Sequence, residues 1–569
     1  MSRSRALRAD GAAATALLLC VSFFLTGCST KQLASTSPTA RGGTLHLLLD
    51  QDVGAWDPQR IGSGPEGSFA IRTYLRTLTT HAPAGVGFLP GLVGDLATTT
   101  GTVQDDGRTW SFPIVSDATW QDGRFVTCAD VKYGVSRSFA RDRMTGGSTQ
   151  AVQLLDISAT TASDGTRVSA YQGPWSGVGQ DLYDKAVTCT AQQITFHLNS
   201  PRYDFDEIVS LPAFGPVRKD QDTDRSDRFS VFSNGPYMLE GVWHPGEGGR
   251  FVRNRKWVGR DDPVRLAWPD VIEVEVLPAG TSVVQQIVDD TGDAHTAVTW
   301  VEVPPAVYPQ LEEPSLAART TRPDSGEVDA LLPNPASPVG SNPQVRRALA
   351  LSTDRQAYVA ADGSAMQPVT SALPRSVPGR AEDGSVDVPT SPDAAAAKSV
   401  LQAAGLTLPV PLRVAYPASG ATDRAVRALA TTWAKAGFVV SLVPVGAGVT
   451  PAATGTSSYD LTWTSLSAAW PSGGAVLPEM VTRDAAPGRG PDPALVAEAA
   501  AAAGTPDLVA RNTAWSALDM RLVAAGDVLP LAARQRVLVH GSGVDAYQDN
   551  VLLGGRVDLA AIQVEHGGD

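Results

Sequence analysis

An α/β fold in more than one lobe is predicted by three observations. The 569-residue chain, 43% hydrophobic, can bury more than one core, and ordinary domain size suggests roughly three to four domains. Its N-terminal half carries short alternating segments punctuated by acidic-Gly turns, a β-meander or hairpin signal. Its C-terminal half alternates strand and helix patterns, which implies a sheet with a parallel component. No period of about 20 to 50 residues repeats, so a solenoid is not supported.

Taken in order, the chain opens with an export signal. Arg3, Arg5 and Arg8 precede an uncharged stretch from Gly11 to Leu25, too short for a spanning helix of about 20 apolar residues but suited to a signal-peptide core. That core runs into Leu25-Thr26-Gly27-Cys28, which has the form of a lipobox: small residues admit the signal peptidase, and Cys28 becomes the acylated N-terminus. An ordinary export signal or membrane anchor with a chance cysteine is the alternative. Residues 1–27 are therefore expected to be signal peptide. Residues 28–41, rich in Ser, Thr, Ala and Pro, are expected to be a flexible tether with too little apolar surface to fold.

The apolar run Thr44 to Leu49 predicts a buried strand that leads through Asp50-Gln51-Asp52 into a turn at Trp56-Asp57-Pro58. Asp105-Asp106-Gly107 sets a turn before Thr109-Trp110-Ser111-Phe112, and Thr127 is placed to cap a helix running through Val131, Tyr133 and Phe139. In the C-terminal half, Ser391 caps and Pro392 opens a helix that ends at Gly405. A strand from Leu412 to Tyr416, a helix from Arg424 to Ala436 and a strand from Phe438 to Val443 follow. Helices from Leu495 to Ala503 and Leu508 to Ala525 then precede a return strand at 528–531.

The formal net charge of -13 and the absence of a basic stripe argue against nucleic acid as a partner. Cleavage before Cys28 removes three Arg and one Asp, a net +2, leaving about -15, so attachment to a membrane falls to lipid and not to charge. Cys20 leaves with the signal and Cys28 is acylated. That leaves Cys128 and Cys189 as the one pair in an oxidising compartment, expected to be bonded, with two separately buried thiols as the alternative.

Enzymatic chemistry is poorly represented. Seven His are scattered without a His-Glu-x-x-His pair; no Cys-x-x-Cys, no phosphate loop ending in Gly-Lys-Ser/Thr and no Gly-x-Ser-x-Gly elbow is present. No catalytic residue, cofactor or metal is expected, although His gathered only in space would escape such a reading.

An ordered set of motifs carries a resemblance. It comprises Leu89-Pro-Gly-Leu92, the Asp-Asp-Gly turn before Trp110, Trp120-Gln-Asp-Gly123, Asp130-Val-Lys-Tyr-Gly-Val-Ser-Arg-Ser-Phe139 and Ile194-Thr-Phe-His-Leu198. Further along come Ser233-Asn-Gly-Pro-Tyr-Met-Leu239, Arg253-Asn-Arg-Lys-Trp257 and Val345-Arg-Arg-Ala-Leu-Ala-Leu-Ser-Thr-Asp-Arg355. In this order and spacing, from Gly42 to about Val557, the chain resembles the peptide/nickel-type (family 5) solute-binding proteins of bacterial ABC importers, the oligopeptide- and dipeptide-binding lipoproteins. Read from the residues alone, these motifs are structural: Gly235-Pro236 a turn, Trp110 and Trp120 core, Arg346-Arg347 a solvated helix face.

The resemblance implies a two-lobed, periplasmic-binding-protein-like α/β fold (class II, cluster C) with an additional subdomain. Lobe one is expected at 41–78, 186–278 and 506–569, the subdomain at 79–185 and lobe two at 279–505. It further implies a monomeric, non-enzymatic receptor, lipid-anchored outside the cytoplasmic membrane, that closes on a peptide or related small solute and delivers it to permease and ATPase subunits. A surface lipoprotein retained for signalling or adhesion, a binder of a metal chelate, haem or sugar, and more remotely a hydrolase are the alternatives.

The expected ligand-binding residues are Ser63, Gly64, Trp463, Ser465, Ser467, Ala469 and Trp470. Peptide-binding members of the family carry a strand beginning Tyr/Phe-Asp that pairs with the ligand's main chain and ends in an Asp that neutralises its α-amino group. Here the matching stretch starts at Tyr459-Asp460, the amine-reading position falls on Ala469, and the usual Trp falls on Leu466. The resemblance therefore implies a receptor that does not depend on a free N-terminus, unless another acid such as Glu479 substitutes.

Overall fold

The computed structural model describes residues 41–83, 91–161, 167–190, 192–222, 228–262, 264–386, 388–389, 391–446, 459–483 and 491–565. The signal peptide, Cys28, nearly all of the tether, and Leu89-Pro90 of the first motif lie outside them. Among the described residues no helix is long and apolar enough to cross a membrane.

The apolar run at the start forms the strand Thr44–Leu49, which lies inside a five-stranded sheet in the order Tyr237–Leu239, Gly248–Arg253, Val271–Val276, Thr44–Leu49, Ala297–Thr299. It is parallel to both neighbours, with Leu47 opposite Val274 and Val298. A strand covered on both faces needs apolar residues at successive positions, and this one has them. Leu45, Leu47 and Leu49 face a core that includes Trp56, Phe69 and Phe251, while Leu48 meets Val283 and Ile287 on the other side.

A four-stranded antiparallel sheet follows, in the order Thr102–Gln104, Thr109–Pro113, Gln193–His197, Val187–Thr190. The expected turn is present, with Asp106 and Gly107 both at positive φ. Helix Cys128–Arg137 is started by a full capping box: the Thr127 hydroxyl accepts from the Asp130 amide, and the Asp130 carboxylate accepts from the Thr127 amide. Cys128, its first residue, is bonded to Cys189 across a separation of 61 residues, as expected. Such a loop closure stabilises the fold by about 4 kcal/mol in the chain-entropy account.

The third sheet has six strands in the order Met366–Pro368, Leu529–Gln535, Asp324–Pro333, Leu461–Ser467, Val410–Pro417, Phe438–Val445. Its last two strands are parallel, as the strand–helix–strand pattern implied, and helix Gly420–Lys435 crosses between them with Leu429 and Trp433 in the core. Trp110 and Trp120 are buried, as expected.

Several expectations are corrected by strand pairing. Gln193–His197, assigned to lobe one, completes the subdomain sheet, because Phe196 stands opposite Trp110 and packs on Phe112. Ala297–Thr299, assigned to lobe two, pairs with Thr44–Leu49 of the first sheet. Helix Leu508–Ala525 and strand Leu529–Gln535, assigned to lobe one, belong with the six-stranded sheet: Trp515, Leu518 and Leu522 lie in its core, and the strand pairs with Asp324–Pro333. The helix at 394 is capped by Asp393, whose side chain accepts from the Ala396 amide, and not by Ser391. Arg346 and Arg347 are half-buried and not a solvated face: Arg346 pairs with Asp527 at 3.0 Å, and Arg347 donates to the Ala524 carbonyl.

With these corrections the chain passes between the first and the six-stranded sheet twice. It crosses after Thr320–Thr321, and again before Leu538–Val539, which pairs with it. The two crossings run side by side: the Arg536 amide donates to the Pro323 carbonyl at 2.9 Å. Arg536 also pairs with Glu302 on the first-sheet side and, at 2.6 Å, with Glu327 on the other.

Candidate functional site

Strand Leu461–Ser467 organises the site. It starts from Asp460, a buried carboxylate that accepts from the Arg413 amide at 2.7 Å and pairs with the Arg413 guanidinium. Burial opposes its ionisation, but the hydrogen bonds from Arg413 and Ser337 outweigh burial and hold the carboxyl below the usual range. One edge of the strand is fully paired to Asp324–Pro333, from Leu461 opposite Pro333 to Ser467 opposite Glu327. The other edge pairs with Val410–Pro417 only at Leu461 and Thr462. From Trp463 onward this edge extends past that ladder.

Beside 464–467 lies a cavity of about 170 Å³, lined by Ser465, Ser467, Leu332, Met480 and Glu479. It combines unladdered strand edge, two hydroxyls and one carboxylate, a combination suited to main-chain pairing with an extended solute. Glu479, ten residues beyond Ala469, is thus the acid the fold brings beside the strand.

Beyond Ser467 the chain crosses to a second cavity of about 40 Å³, walled by Ala468, Ala469, Trp470 and Ser376 on one side and by Ser63, Ser68 and His81 on the other. Trp470 is anchored across this boundary. Its Nε1–H donates to Asp204 Oδ2 at 2.9 Å, its ring lies among the buried residues of the subdomain, and the Arg202 guanidinium stacks over it at 5.9 Å. Arg202 also pairs with Asp204 at 2.8 Å and donates to the Gly474 carbonyl. A Cβ at position 474 would lie 2.8 Å from the Asp204 carboxylate and 3.0 Å from the Arg202 guanidinium, so a larger residue there would displace this pair.

Burial raises the Asp204 carboxyl, but Arg202 and the Trp470 and Ser472 hydrogen bonds outweigh it and set the carboxyl below its ordinary value. Nearby Asp206, half-buried and beside Glu207, is pushed up to about 7 by desolvation and by the Glu207 charge.

The fold therefore brings Ser63, Ala469 and Trp470 to one cavity and Ser465 and Ser467 to the other. Gly64 is the residue that caps helix Pro65–Thr73, next to Ser63. Trp463 lines neither cavity: its Nε1–H donates to Tyr358 at 3.0 Å, Tyr358 donates to Asp329, and Arg534 pairs with Asp329 while lying over the Trp463 ring. His81 and Ser376 were not legible as site residues, since a lone His after two Thr and a Ser in a Pro-rich loop carry no local signal.

Among the described residues one group has metal-ligand chemistry, His46 and Glu275 on the first sheet with Asp293 from the short helical turn Gly292–Thr296. The His46 Nδ1 is already engaged by Glu275 at 2.7 Å, and Asp293 stands 3.9 Å from Nε2.

Two α/β lobes joined by paired crossover segments, with cavities along the strand between them, define the class: a two-lobed binding protein of the periplasmic type. The chain belongs to the bacterial extracellular solute-binding proteins, family 5, whose middle-region family model matches residues 91–487. Its members are binding proteins and not enzymes. Among solved structures it is similar to the clavulanic acid biosynthesis oligopeptide binding protein 2, with a TM-score of 0.80 and 24% identity over 93% of this chain and 96% of that one. It is also similar to the Escherichia coli murein tripeptide binding protein MppA, with a TM-score of 0.69 and 19% identity over 93% of this chain and 100% of that one. A third is the DppA periplasmic binding protein of Helicobacter pylori in complex with peptide STSA, with a TM-score of 0.67 and 17% identity over 93% and 99%. No curated protein sequence matches the chain.

Proposed function

We propose that the protein is the solute receptor of an ABC importer, taking a peptide or a related small solute between its lobes by hinge closure and handing it to a permease served by a separate ATPase. The observation that carries this reading is the Leu461–Ser467 strand, whose edge continues past its ladder beside a polar cavity and runs directly into the segment between the lobes. The kinds of solute bound by similar structures, an oligopeptide, a murein tripeptide and the peptide STSA, agree with it.

The cavity sizes support hinge motion. A space of about 40 Å³ has room for a few water molecules, whereas ligand pockets ordinarily enclose about 300–1,000 Å³, so the walls must part to admit a solute. The side-by-side crossings near Pro323 and Arg536 are the natural pivot, because only there does the main chain connect the two lobes. On this reading lobe one comprises 41–78, 199–321 and 536–565, the subdomain 79–198, and lobe two 322–535.

Acylated Cys28 tethers the monomeric receptor to the outer face of the cytoplasmic membrane. Small-angle scattering of protein stripped of solute and then saturated with the solute that co-purifies from its host tests the mechanism. The radius of gyration should fall on binding; an unchanged radius at saturation overturns hinge closure.

A further inference from the structure

We propose that His81 and Ser376, from opposite walls of the interlobe cavity, form a subsite for a carboxylate of the bound solute; this rests on the receptor reading above. Of the side chains lining that cavity, His81 alone is ionisable, and none is a carboxylic acid. Of the four hydroxyls in the lining, those of Ser68 and Ser210 donate to the Gly64 and Glu207 carbonyls, which leaves Ser63 and Ser376 as the hydroxyls able to donate into the cavity. Such a lining suits an anion; an ammonium group would meet no counter-charge in it.

Two features show that the donors are set for a ligand. The Ser376 side chain is 6% exposed, lines the cavity, and makes no hydrogen bond among the described residues, although a buried hydroxyl ordinarily finds a partner. His81 Nε2 stands 2.7 Å from Glu207 Oε2, so one ring nitrogen is fixed by a carboxylate while Nδ1 has no partner among the described residues. The backbone is held as well, the His81 carbonyl accepting from Arg72, which is itself paired with Asp558. With Nε2 facing Glu207, Nδ1 is the ring nitrogen left to meet the solute carboxylate, and Ser376 donates from lobe two. Because one donor sits on the subdomain and the other on lobe two, the same carboxylate that is recognised also draws the walls together.

The cavity beside Ser465 and Ser467 has the opposite character, with Glu479 in its lining. A solute lying along the strand from one cavity to the other would therefore present its acidic end to His81 and a neutral polar part to Ser465 and Ser467.

The carboxylate could be a peptide C-terminus or belong to a non-peptide acid, and three probe pools separate these: mixed tripeptides as free acids, the same tripeptides as C-terminal amides, and small non-peptide hydroxy- and dicarboxylic acids. Binding is read by calorimetry on wild type, His81→Gln, which retains a donor toward Glu207, and Ser376→Ala. The expected result is tripeptide acids bound at least ~10-fold more tightly than the amides, the scale of one charged hydrogen bond, with the acid-to-amide ratio falling toward one in His81→Gln and partway in Ser376→Ala. Loss of the ratio, unlike loss of affinity, is not produced by a merely structural role. Binding of only the non-peptide acids, lost in His81→Gln, would keep the subsite and remove the peptide reading. Equal binding of acids and amides, or a ratio unchanged in both variants, would overturn the subsite and leave the peptide reading standing. Binding of no pool would remove both.

Discussion

Trp470→Phe separates a closing receptor from a rigid one. Trp470 follows the strand Leu461–Ser467 of the six-stranded sheet, yet its indole N–H donates at 2.9 Å to Asp204, which belongs to the opposite side and is 2% exposed. Phenylalanine keeps an aromatic ring in the subdomain core and deletes only that donor and part of the ring volume. A hydrogen bond to a charged, buried acceptor contributes about 1.5–3 kcal/mol, or roughly 10- to 150-fold in an equilibrium constant. If the walls part at the hinge, the open form never makes this bond, so the whole loss falls on the closed form that holds the solute. Solute affinity measured by calorimetry should then weaken ~10-fold or more at neutral pH.

The pH dependence has a definite sign. The Asp204 carboxyl lies below its ordinary 3.8 in the folded protein, because Arg202 and the Trp470 and Ser472 hydrogen bonds outweigh burial. Its contribution is therefore complete above that ordinary value and is lost as pH falls through the lowered one. The difference between variant and wild type should be constant from pH 6 to 8 and shrink only in strong acid. An unchanged affinity together with a lowered melting temperature would refute the reasoning, since it would show the Trp470 contact to be present in open and closed forms alike.

N-acetylation of a bound peptide should cost less than ~10-fold in affinity, since Ala469 carries no carboxylate; a larger loss that vanishes in Glu479→Gln would place an amine reader at Glu479. Asp206 is pushed up to about 7 by burial and by Glu207, so the folded protein holds a proton that the unfolded chain releases near 3.8, and stability falls as pH rises between these values. Asp206→Asn should raise stability by up to about 4 kcal/mol at pH 8 and by much less at pH 5; a gain in melting temperature independent of pH would refute it. Cys28→Ala should move the protein from the membrane to the soluble fraction, because one lipid tether is all that holds it; retention of the variant on membranes contradicts that attachment.

Local chemistry was legible in the sequence wherever neighbouring residues decide the outcome. The strand Thr44–Leu49 is a run of apolar residues and could be covered on both faces. Thr127 and Asp130 stand at the spacing of a capping box, and helix Leu508–Ala525 runs between Asp507, which accepts from the Ala510 amide, and Gly526 in the left-handed conformation. The family was legible too, because motifs such as Ser233-Asn-Gly-Pro serve packing at fixed places: a Cβ on Gly235 would lie 2.5 Å from the Thr73 carbonyl. The pairing of Cys128 with Cys189 followed from the small number of cysteines.

Tertiary structure alone decided what depends on partners distant in sequence. Nothing in 529–535 says that it enters the six-stranded sheet beside 324–333, since an apolar strand fits either lobe and only its register selects one. Trp463, which the family comparison placed at the ligand, is engaged by Tyr358, and that engagement depends on Asp329 and Arg534. His81, Ser376 and Glu479 have ordinary sequence surroundings; the first two acquire a role because the subdomain and lobe two set them across one cavity, and the third because the fold places it in the lining of the cavity beside 464–467. A sequence states which groups are available and how each segment folds by itself, but hydrogen bonds, ion pairs and cavity walls join residues hundreds of positions apart, and those pairings are chosen by the packing of the whole chain.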